Sequence, residues 1–107
     1  MKQLDINDVK DVNDVKYVLQ KLKDILQKDN RQEFNSHEFI CRYRRFYEKE
    51  YINMLNNYEK NAFQEVNKQI GSFLEKNQKK LGIRYIKKVK DRNDHFELSD
   101  VAEWEIL

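Results

Sequence analysis

In the 107-residue chain, three sets of residues have the type and spacing to do chemistry. His37 and Cys41 stand four apart, so on one helix they share a face, as a thiol–imidazole pair would. Glu50 falls among Tyr43, Tyr47 and Tyr51, where a buried carboxylate is either an acid or base of raised pKa or a structural acceptor for phenol hydroxyls. Lys79, Lys80, Arg84, Lys87, Lys88, Lys90 and Arg92 form a basic series of the kind that meets phosphates.

For the first two sets the sequence favours the structural alternative. His37 reads as a histidine in a capping turn, Cys41 as a half-buried cysteine, and Glu50 as a partly exposed or tyrosine-bonded carboxylate. Metal ligation is poorly supported: His37 and His95 lie far apart, and no second ligand pair accompanies Cys41. Gly71 and Gly82 are the only glycines, which excludes a glycine-rich phosphate loop. Ser36, Ser72 and Ser99 have no nucleophile-elbow context. The expectation is a non-enzymatic protein without cofactor or metal.

The elements that must position these residues follow from periodicity. Val15, Val18, Leu19, Leu22, Ile25 and Leu26 keep three/four spacing after a capping Asn13 or Asp14, predicting a first helix over about 14–28. Residues 1–13 read as an N-terminal arm, and 14–107 as one domain. Residues 28–35 read as a loop. Asn35 or Ser36 caps a second helix, with Glu38 in capping-box spacing, running to about Tyr58. A third helix is predicted from 62 to about 81, opened by an Asn61/Gln64 box and stopped by Gly82. Gly71 lies inside it, either allowing close approach of another helix or without a role. Ile83, Tyr85 and Val89 then alternate with Arg84, Lys88 and Lys90, a turn follows at 91–94, a short strand is expected around 96–98, and residues 102–106 read as a third strand in preference to a short helix opening at Ser99. The fold class is α+β, mainly α: a three-helix antiparallel bundle with a C-terminal β-hairpin or three-stranded meander, its tail anchored by Trp104.

On a helical wheel of roughly 100° per residue, the stretch CRYRRFYEKEY separates its arginines from its aromatics. Phe39, Ile40, Tyr43, Phe46, Tyr47, Tyr51, Met54, Leu55 and Tyr58 share one broad arc, while Arg42 and Arg45 lie opposite. A base-stacking platform needs rings and cations together, so the stripe reads as core. Its tyrosines suit a core boundary or an interface. That makes Tyr47, Tyr51 and Tyr58, with Arg42 and Arg45, the expected partner-binding residues.

Net charge is +2, unevenly spread: residues 62–90 carry 8 basic and 2 acidic groups, residues 91–107 carry 1 and 6. Three helices followed by a basic hairpin resemble a winged helix in element order, which implies nucleic-acid binding through the basic 68–92 segment. A second helix of about 22 residues is too long for the compact helix-turn-helix unit, and cross-strand pairing of the lysines with Glu97, Glu103 and Glu105 would cancel their field. The leading expectation is therefore a protein-binding module, with a nucleic-acid-binding regulator as the alternative. AT-rich residue usage (15 Lys and 11 Asn against 2 Ala and 2 Gly) suggests a phage or mobile element, hence an accessory, anti-defence or regulatory role. A homodimer is compatible with the tyrosine stripe. No apolar run reaches membrane-span length, no secretory signal opens the chain, and a single cysteine fits a cytoplasmic protein.

Overall fold

The computed structural model describes residues 12–92 and 98–107. Eight elements follow in order: α1 (Val12–Lys28), β1 (Glu33–Asn35), α2 (Ser36–Phe46), α3 (Glu48–Leu55), α4 (Ala62–Lys76), α5 (Gln78–Leu81), β2 (Ile83–Arg92) and β3 (Leu98–Ile106). The protein is α+β and mainly helical, with a three-stranded antiparallel sheet. The predicted three-helix arrangement gives way to five helices because two of the three break. Of the expected arm, residues 1–11 lie outside the described residues; Val12 and Asn13 already belong to α1.

Local signals place several boundaries as expected. The Asn35 side chain accepts from the Glu38 N–H at 2.9 Å, and the Glu38 carboxylate accepts from the Asn35 N–H at 3.0 Å, completing the capping box of α2. Gly82 takes φ 70 at the end of α5, and Ile83 folds back into the core at 2% exposure. The α1 stripe of Val15, Val18, Leu19, Leu22 and Leu26 is buried.

The second helix does not run to Tyr58. At Tyr47 the backbone turns out of the helix (φ −129, ψ 48), and α3 begins one residue later. On a straight helix Tyr51 would sit about 80° round from Tyr43. The break re-phases the segment, so both rings reach the core while Phe46 is turned outward, 42% exposed. The third helix breaks likewise at Asn77, whose side-chain amide donates to the Phe73 carbonyl at 2.8 Å. Asn61 forms no capping box; it adopts φ 55 without a side-chain bond to α4.

The sheet order is β1-β3-β2. The segment expected to be loop supplies β1, whose Phe34 lies opposite Trp104. Asp91 and Arg92 continue β2 instead of turning, and β3 is one continuous strand in place of two short ones; residues 93–97 lie outside the described residues. Trp104 anchors the sheet: 1% exposed, it packs in the core with Phe34 and Phe39, and its Nε1–H donates to Ser36 Oγ at 2.9 Å.

Candidate nucleic-acid interface

A β-bulge decides which way the hairpin lysines point. Directly paired residues on an antiparallel ladder share a face. Tyr85 pairs with Trp104 and Lys87 with Glu103, so Ile86 is an extra residue. Sequence alternation would put Val89 beside Ile83 and Tyr85. The bulge instead moves Lys88 and Lys90 to that face, with Ala102 and Asp100, and turns Val89 away with Val101.

The face carrying Tyr85, Lys88, Asp100, Ala102 and Trp104 forms one wall of a groove of about 660 Å³. The opposite wall is α4, through Asn67, Lys68, Gly71, Ser72 and Glu75. Ser36 and His37, at the start of α2, close one side. Along α4 the exposed Gln64, Lys68 and Glu75 follow three/four spacing, while Val66, Ile70, Phe73 and Leu74 bury the other face. Tyr51 donates its hydroxyl to Asn67 Oδ1 at 2.6 Å, which holds the amide with its NH₂ as the remaining donor. Opposite, Tyr85 stands 42% exposed, edge-on to Trp104, its backbone N–H held by Gln78 Oε1 at 2.9 Å.

Two carboxylates temper the groove's charge. Asp100 pairs with Lys90 at 2.6 Å, and this hydrogen bond, then the Lys90 and Lys88 charges, hold its carboxyl below the ordinary value. Glu75 is exposed near the end of α4. Lys68 and Lys88 make no ion pair among the described residues and are the groove's available cations. His37 Nδ1 lies 3.3 Å from Asp91 Oδ2, and Asn35 Nδ2 donates to the same oxygen at 3.0 Å, tying the start of α2 to β2.

The basic series predicted from sequence is thus divided among surfaces. Lys88 and Lys90 are on the groove side. Arg84 is ion-paired with Glu105 on the opposite face, where Lys87 lies across from Glu103. Lys79 and Lys80 border a separate depression with Lys16 and Lys23 of α1. Arg92 ends β2, and its side chain lies outside the described residues, as do His95 and Glu97. Missed from the sequence were Asn67 and Ser72, polar positions that periodicity alone does not set apart from other solvated helix residues.

The expected partner-binding tyrosines do not form a surface. Tyr51 and Tyr58 are buried at 2% and 8% exposure, and Tyr47 is half-buried with its hydroxyl 3.5 Å from Asp14. Large rings at core-facing positions gain more by burial than they cost in hydroxyl desolvation. Arg42 is half-buried and Arg45 exposed. Tyr43 is fully buried, and its hydroxyl has no hydrogen-bond partner among the described residues; burial, then the Glu50 and Asp14 carboxylates and Tyr47, push its pKa well above the usual phenol value. His37 and Cys41 part company: His37 faces Asp91, whereas Cys41 borders a depression with Arg44, Arg45, Glu48, Ile52 and Phe63. Among the described residues no group of three His, Cys, Asp or Glu is placed to hold a metal, and no helix is long and apolar enough to cross a membrane.

No family model, curated protein or solved structure matches the chain. The site alone carries the functional reading.

Proposed function

We propose that the protein is a nucleic-acid-binding regulator that engages a duplex in the manner of a winged helix. The observation that supports this most is the strand order. A winged helix runs helix, short strand, helices, then a hairpin, with the hairpin's second strand lying between its first strand and the short strand. Here α1, β1, α2 to α5, β2 and β3 follow, the four-residue α5 standing between α4 and the hairpin, and the sheet is β1-β3-β2. The objection of an overlong second helix falls with the break at Tyr47, which leaves helices of 11 and 8 residues. Of the residues on α4, Gln64 and Lys68 are exposed and Asn67 is half-buried, and an α-helix about 10–12 Å across fits a major groove about 12 Å wide. Gln64 suits a base edge, Asn67 offers only its NH₂ because Tyr51 holds its Oδ1, and Lys68 and Lys88 suit phosphates.

Fluorescence anisotropy with labelled double- and single-stranded DNA and RNA, across a salt series, tests the reading. Duplex affinity should fall steeply with salt, and Lys68→Glu with Lys88→Glu should lower the slope by about 2. Absence of duplex binding at low salt removes it.

A protein partner or a second copy of the chain is the other reading, now resting on different residues. Ile52 and Phe63 are 46% and 42% exposed beside Cys41, and Tyr17 meets Phe46 edge-on at the surface. Sedimentation velocity over a concentration series tests self-association: a dimer abolished by Ile52→Glu supports it, and a monomer throughout removes the homodimer.

A further inference from the structure

The two glycines of this chain stand in opposite situations. Gly82 is required by its backbone, since φ 70 disfavours any residue with a Cβ. Gly71 is not. It lies inside α4 without a positive φ, and a Cβ there would meet nothing within 4 Å among the described residues. No neighbouring helix among them comes close enough to need it. A mid-helix glycine weakens the helix, so within the fold Gly71 carries a cost with no return. Its one structural distinction is its place: it lines the groove between Lys68 and Ser72 on α4 and Lys88 on the hairpin. Glycine at such a point allows something outside the chain to approach the helix backbone.

Resting on the duplex-binding reading, we infer that Gly71 is where one sugar–phosphate strand of a bound duplex comes closest to α4, held between Lys68 and Lys88. The placement of the cations suits this occupant. Lys68 and Lys88 are on facing walls; of the two carboxylates that line the groove with them, Asp100 is engaged by Lys90 and Glu75 lies four residues beyond Gly71 on α4, and Ser72 adds a hydroxyl donor of the type that contacts phosphates. Absence of a side chain at Gly71 deepens the groove at its middle, and Ala102 keeps the facing wall low.

The experiment uses the full chain with Gly71→Ala and Gly71→Leu, read by thermal melting and by duplex anisotropy over the salt series. Gly71→Ala should melt about 4 °C higher yet bind about tenfold more weakly at fixed salt. Gly71→Leu should bind more weakly still. Neither should change the salt slope, because no charge is lost; Lys68→Glu and Lys88→Glu should change it. If the glutamate variants weaken binding and Gly71→Ala binds like wild type, the duplex reading stands and this inference is overturned. A lower melting temperature for Gly71→Ala overturns it too, since the glycine then serves the fold. No duplex binding by the wild-type chain overturns both.

Discussion

From Glu103 to Glu105, β3 is paired on both sides, with β1 and with β2; from Leu98 to Ala102 it pairs with β2 alone among the described residues. The first half carries Trp104, packed against Phe34 and bonded to Ser36. The second carries Asp100 and Ala102, which face a groove instead of a packed helix. A single strand thus closes the core at one end and holds a wall away from α4 at the other. The doubly paired span holds the buried Trp104, whereas in the singly paired span Val101 is buried and Ala102 rests against the core but Asp100 stands exposed at the groove. The extra residue Ile86 falls at the junction of the two regimes, where β2 passes from the apolar Ile83 and Tyr85 to Lys88 and Lys90 on the same face.

The comparison breaks most readily at Trp104. Trp104→Ala removes a buried ring and its bond to Ser36, and urea unfolding should show a loss of about 4 kcal/mol; a loss below about 1 kcal/mol would mean that the packed half is not what closes the sheet. The open half is sharpened by a pair of charge reversals. Lys88→Glu, on the groove side, should weaken duplex binding about tenfold, whereas Lys87→Glu, on the opposite face, should weaken it clearly less; equal losses would dissolve the distinction between faces. Asn35 links the halves, capping α2 and donating to Asp91. Asn35→Ala should cost about 1 kcal/mol in denaturant unfolding. The smallest effect is at Asp100. Its pKa is depressed in the folded protein, so its contribution is present above the unfolded value and is lost as pH falls through the folded one. A carboxyl titration followed by NMR should show its midpoint rising toward the ordinary 3.8 in Lys90→Met.

What was legible in the sequence was local. The capping box at Asn35 and Glu38, the glycine stop at 82 and the α1 stripe each depend on residues within a few positions of one another. β1 was hidden because it is three residues long and its partner lies about seventy positions away; a lone Phe34 in a polar run has no periodicity. The breaks at Tyr47 and Asn77 occur without glycine or proline, and the bulge rests on Ile86, an apolar residue between Tyr85 and Lys87 that nothing in the alternation marks as extra. The candidate site shared this limit. Its charge could be counted along the chain, but the bulge and the Asn77 break determine which cations share a wall, and both arise from tertiary pairing.

The position of β2 at the outside of the sheet has one more consequence. Its outer row of backbone donors and acceptors has no strand partner among the described residues, and such a row is a template for pairing with another copy of the same chain. Arg84, Lys87, Lys88 and Lys90 line this strand with like charge, so two copies brought edge to edge would repel. Lys88, proposed as a phosphate contact, would thereby also guard solubility. Neutralising these basic residues together should make the protein prone to aggregate at low salt, whether or not it ever meets a nucleic acid.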